Sequence, residues 1–186
     1  MVKYSLIALT AGTLLSTPAM ASSTITAEYR LADVRGGAPD SSEFKVEYNA
    51  PLNSVLKYGV ELQVKQRDNE GSLSSKIAAK AGPNLPTILG FSTFAYGEVG
   101  KSMTQGNNFE FWGAGVKTSR TIIGPVSASV GFRHREGFHP ADMEENRINA
   151  GLGLAINGNN SLGVQYYRTT GSSRSDALGF GITHKF

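Results

Sequence analysis

From Thr24 onward, apolar and polar residues alternate with a period of two. That period sends successive side chains to opposite faces of a strand. In the first segment Ile25, Ala27, Tyr29 and Leu31 share one face, and Thr24, Thr26, Glu28 and Arg30 the other. In the second, Phe44, Val46 and Tyr48 oppose Lys45, Glu47 and Asn49. In the third, Leu56, Tyr58, Val60, Leu62 and Val64 oppose Lys57, Gly59, Glu61, Gln63 and Lys65. The same alternation fills 126–133, 147–156, 162–167 and 178–186. Three stretches are less regular. Residues 74–81 are weakly apolar, and 87–99 are apolar on both faces. Residues 109–119 allow either Phe111 or Trp112 outward, with Trp112, Ala114 and Val116 preferred.

The breaks between these segments are of two kinds. Residues 50–53, 82–86, 123–125 and 157–160 combine Pro, Gly and Asn and predict short turns. Residues 34–42, 67–72, 101–108, 136–145 and 170–175 predict longer polar links. The pattern predicts an all-β protein of ten antiparallel strands, with eight and twelve as alternatives. Short turns at one end and longer links at the other are the asymmetry of a transmembrane β-barrel. An even strand count then puts both termini on the short-turn, periplasmic side. A secreted β-sandwich or a lipocalin-like barrel alternates too, but turns its apolar face inward. Parity alone leaves that choice open. The Gly, Ser and Thr on the polar face, the long apolar stripes and the final Phe186 favour the membrane barrel.

Composition narrows the class. No apolar run reaches the ~20 residues of a membrane-spanning helix. Cysteine is absent, which removes disulfides, thiolate metal sites and thiol nucleophiles. The net charge of +3 is not gathered into a basic arm, so nucleic acid is not an expected partner. The start reads as a secretory signal: Lys3, an apolar run from Leu6 to Leu15, Pro18, then Ala19-Met20-Ala21. Cleavage is expected after Ala21, which divides the chain into a signal peptide, 1–21, and a barrel, 22–186.

The last ten residues, Ala177-Leu178-Gly179-Phe180-Gly181-Ile182-Thr183-His184-Lys185-Phe186, resemble the closing strand of Gram-negative outer-membrane β-barrel proteins. Phe180, Gly181, Ile182 and Phe186 match that pattern. His184 departs from it, standing where an aromatic or aliphatic residue is usual. The resemblance implies an outer-membrane location and recognition of this strand by the barrel assembly machinery. Outer-membrane lipid and lipopolysaccharide are the other implied partners, and a monomer is the expected state. A further similarity is to the small channels for acidic oligosaccharides, which also line strands with Arg and Lys. Those channels usually have more strands than this chain supplies.

The candidate chemistry lies on the polar face. By parity it collects Arg30, Lys45, Lys57, Lys65, Lys76, Lys80, Lys117, Arg133, Arg135 and Arg147, against Glu28, Glu47, Glu61 and Glu98. These residues are the candidate lumen lining. One reading is a narrow channel whose basic wall favours small anions. The other is a structural or surface-interaction barrel, its lumen filled by charges that pair across it. No catalytic motif is present, and no cofactor or metal is expected. His139, Asp142, Glu144 and Glu145 fit no metal spacing and read as a solvated acidic loop. The links are too short to hold a folded extracellular domain.

Overall fold

The computed structural model describes residues 23–34, 40–67, 73–104, 107–139 and 143–186. The expected signal peptide and its cleavage after Ala21 lie outside them. The described chain forms β1 (Thr24–Val34), β2 (Ser41–Pro51), β3 (Leu56–Arg67), β4 (Leu73–Ile88) and β5 (Phe91–Thr104). It continues with β6 (Asn107–Ile123), β7 (Val126–Gly137), β8 (Glu144–Ala155), β9 (Asn160–Gly171) and β10 (Ser175–Lys185). Each strand pairs antiparallel with its sequence neighbours, and β10 closes the sheet on β1. Thr24 faces Lys185 at one end of that seam and Val34 faces Ser175 at the other. The start of β1 and the end of β10 therefore lie at the end that carries the hairpin turns. Closure leaves no unpaired edge, the condition for β-structure in hydrocarbon.

The distribution of side chains decides which face is out. Leu31, Phe44, Val99, Phe132, Ile148, Leu152, Val164 and Phe180 are all exposed, and Leu152 reaches 59%. Glu28, Arg30, Glu43, Glu61, Glu98, Arg133 and Arg135 are buried. Among the described residues, buried apolar side chains reduce to Ala50, Ala78, Phe111 and Tyr167. A water-soluble sandwich has the opposite distribution. This barrel has an apolar exterior and a charged core, the arrangement of a transmembrane barrel.

The strand count agrees with the alternation, but two boundaries move. Residues 82–86 form no turn: β4 runs through Pro83 and Pro86, and the chain reverses at Leu89-Gly90. Proline is tolerated there because β3 begins opposite Pro83, and the ladder to β5 skips Gly82 and Pro83. A register shift between Leu85 and Ile88 accommodates Pro86. The reversal uses positive φ at both central residues, 52° at Leu89 and 80° at Gly90. Those values suit a tight hairpin turn. The link expected over 101–108 is also shorter, since β5 continues to Thr104 and β6 starts at Asn107.

Inward glycines make room for the large lumen side chains. A Cβ on Gly100 would lie 2.5 Å from the Phe111 ring, and one on Gly115 2.5 Å from the Tyr96 ring. A Cβ on Gly179 would strike Glu28, Tyr167 and Arg30. Phe111 thus faces inward and Trp112 outward, because Gly100 leaves a seat for the phenyl ring.

Candidate functional site: a salt-bridged lumen

The period-two alternation places Arg133 and Arg135 on the same inner face of β7. From there both reach across the barrel. Arg133 lies 3.3 Å from Glu61 on β3, and Arg135 lies 2.9 Å from the same carboxylate. Arg135 also grips Glu98 on β5, with Nε–Oε1 at 2.7 Å and Nη2–Oε2 at 2.8 Å. This is a two-point guanidinium–carboxylate contact, the strong form of such a pair. Arg135 has no solvent exposure, and its guanidinium carbon sits 4.9 Å from the centre of the Phe111 ring.

The pairing continues without a break. Arg133 meets Glu145 on β8 at 2.9 Å, and Glu145 meets Arg147 at 3.4 Å. Arg147 reaches Glu43 on β2 at 4.0 Å, and Glu43 holds Arg30. Arg30 joins Glu28 at 3.0 Å, Glu28 joins Lys45 at 3.1 Å, and Lys45 joins Glu47 at 3.0 Å. Glu47 ends the series on Lys80 of β4. From Glu98 to Lys80 the signs alternate at every step, so acids and bases balance. Lys76 adds a further tie from β4 across to Glu145 at 3.4 Å. Tyr167 packs its ring 4.0 Å from the Arg30 guanidinium, and its hydroxyl hydrogen-bonds Glu28. Buried charges persist only when paired, and removing one partner is strongly destabilising. The chain of pairs fastens opposite walls of the barrel together.

The candidate lining residues occupy three zones. Arg30, Lys45, Glu61, Lys76, Lys80, Arg133, Arg135 and Arg147 belong to the ion-pair network. Lys65 lies half-buried towards the loop end of β3. Lys57 and Lys117 lie towards the terminus end, where they border an open chamber. Glu145 is a correction: it is not part of a solvated loop but a buried member of β8 with three cationic neighbours. Asp142 lies outside the described residues. No group of three or more metal-ligating side chains occurs among the described residues.

Glu43, Tyr96, Phe111 and Tyr167 also shape the lumen and were not singled out from sequence. Glu43 stands two residues before Lys45, and Glu145 two before Arg147. One more step of the same parity would have reached both. At the closing strand, Phe180 and Ile182 are exposed outward and Gly181 is inward. The Phe186 amide donates to the Ser23 carbonyl at 3.0 Å, and its ring packs edge-on to His184 at 4.8 Å.

A closed ten-strand barrel with an apolar exterior and a charged interior defines the class. Comparison with known proteins agrees at the level of fold. No family model matches the chain, and no curated protein matches it. Solved structures do. LpxR from Salmonella typhimurium aligns with TM-score 0.54 at 10% identity, covering 89% of this chain and 100% of its own. The translocator domain of the autotransporter NalP from Neisseria meningitidis aligns with TM-score 0.53 at 11% identity, covering 89% and 88%. The KdgM porin, solved in complex with disordered oligogalacturonate, aligns with TM-score 0.50 at 9% identity, covering 88% and 99%. The chain has the fold of small outer-membrane β-barrels.

Proposed function

We propose that this protein is a non-conducting barrel of a Gram-negative outer membrane, its lumen locked by ion pairs and its chemistry non-catalytic. The unbroken series of contacts from Glu98 to Lys80 supports this reading. A ten-stranded barrel is little wider than an eight-stranded one, whose interior side chains fill it. The buried carboxylates of the series are each held by a cation, which leaves none of them free as a general base. On this reading the chain is exported after cleavage of residues 1–21 and assembled by the barrel machinery through Phe186 and its strand. It sits in lipid and lipopolysaccharide as a monomer, with the hairpin-turn end in the periplasm.

Recording in planar bilayers tests the proposal. The wild-type protein is expected to give no conductance steps, and Arg133→Ala/Arg135→Ala is expected to give them. Reproducible steps from wild-type protein overturn it. The surplus of bases in the chamber below the network favours a second reading, a narrow anion-selective channel. On that reading wild-type steps appear, with a reversal potential on the anion side.

A further inference from the structure

The two halves of the lumen are built differently. The loop-end half is packed with the ion pairs, Phe111 and Tyr167. The terminus-end half keeps a cavity of about 310 Å³. Its floor reaches Thr24 and Ser92, close to where β1 begins and β5 leaves its turn. Its roof is the network itself, at Arg30, Glu61, Arg133 and Arg147. An adjoining recess of about 190 Å³ against β7 to β10 is lined by small residues, including Ser127, Gly153, Gly163 and Gly181, and shares Lys117, Ser119, Gln165 and Thr183 with the cavity. A Cβ at Gly163 would meet only the Leu152 carbonyl, at 3.6 Å, so a side chain there fits and would project into the space. The upper glycines are occupied by neighbouring rings and guanidinium groups, whereas Gly163 faces the recess beside the cavity.

Two lumen lysines outside the series face this space. The series from Glu98 to Lys80 is balanced. Lys117 and Lys57 border the cavity and take part in no ion pair among the described residues. Lys117 also borders the adjoining recess beside Gly153 and Gly163. Around them stand neutral hydrogen-bonding groups, Asn49, Ser119, Asn149, Gln165 and Thr183, together with Glu28 and Glu47, whose carboxylates are held by Lys45 and Lys80. Surplus ammonium groups, neutral donors and a wall cleared of side chains are the parts of an anion pocket.

We propose that this chamber is a binding site for a small multiply charged anion, carrying carboxylate or phosphate groups, that enters from the terminus end. Lys117 is the principal contact and Lys57 the second. The chamber's being blind rests on the closed-lumen reading; its affinity for anions does not.

The test is calorimetric titration of the full barrel in a zwitterionic detergent, with pyrophosphate and citrate as probes and a neutral disaccharide as control. Saturable binding of at least one anion and none of the sugar is expected. Lys117→Gln is expected to weaken it roughly tenfold, the weight of one charge-assisted contact. Gly163→Leu, which fills the adjoining recess that Lys117 also borders and removes no charge, is expected to weaken it as well. Heat-modifiability on gels checks that both variants fold. No binding at millimolar probe, or binding unchanged in both folded variants, overturns the proposal. Conductance is read separately: a barrel that conducts and is blocked by pyrophosphate keeps the binding site and loses only the closed lumen.

Discussion

Replacing Arg135 by Met asks whether the lumen is held by its charges or merely lined with them. The perturbation keeps an unbranched apolar side chain about as long as the aliphatic stem of Arg135, but removes the guanidinium and its contact with Phe111. Glu98 then loses contacts at 2.7 and 2.8 Å and keeps only Arg133 Nε at 3.9 Å. Glu61 keeps Arg133 at 3.3 Å. Breaking a buried pair from one side costs about 3–5 kcal/mol, and the retained Arg133 contacts put this case near the lower limit, about 3 kcal/mol. The exposed pair Lys101–Glu110, at 3.5 Å, is the internal control. Lys101→Ala should cost about 0–1 kcal/mol, as exposed pairs do. Urea unfolding in lipid vesicles measures both. Trp112, the single tryptophan of the chain, points outward and reports insertion by its fluorescence. The double variant Glu98→Leu/Arg135→Met removes both charges and should recover most of the loss, giving a coupling of about 2 kcal/mol. A cost below about 1 kcal/mol for Arg135→Met would refute the argument, since only a water-filled lumen screens the pair that well.

Three other changes probe the wall. Gly115→Val should impair folding, because its Cβ would fall within 2.5 Å of the Tyr96 ring; adding Tyr96→Ala should restore a heat-modifiable barrel. Val164→Arg places a charge on the exterior midway along β9, opposite Leu152, and should cost about 2–4 kcal/mol in the same unfolding assay. Deleting Phe186 should reduce the amount of membrane-inserted, heat-modifiable barrel in cells and leave protein in the periplasm. Normal amounts of barrel in that deletion would count against the closing-strand signal.

The fold was legible because a strand exposed to two solvents writes its address into every second residue. The alternation of 24–31 or 56–65 needs no partner to be read. It blurs over 87–119 for a physical reason. The inner face there carries Phe94, Tyr96 and Phe111, so both faces are apolar, and Phe111 and Tyr96 are admitted by Gly100 and Gly115 on neighbouring strands. Prolines at 83 and 86 read as a turn because proline lacks a donor. In the barrel that donor is not needed, since the ladders on either side stop or slip at those positions.

The network was much less legible, and the reason is depth. Parity assigns a charge to the inside but says nothing of its height, which depends on the stagger of every intervening strand. Glu61 and Arg133 are 72 residues apart, and Lys76 and Glu145 are 69 apart. Their meeting depends on the registers of the strands between them. A pore with a basic wall and a lumen closed by pairs therefore have the same sequence pattern. They differ in whether each guanidinium finds a carboxylate at its own level. Here the carboxylates from Glu98 to Glu47 do meet cations level by level, and Lys57 and Lys117, outside the series, border the hollow at the terminus end. That separation, packed with pairs above and hollow beside Lys57 and Lys117 below, is the ground on which closure in one half and anion capture in the other are proposed.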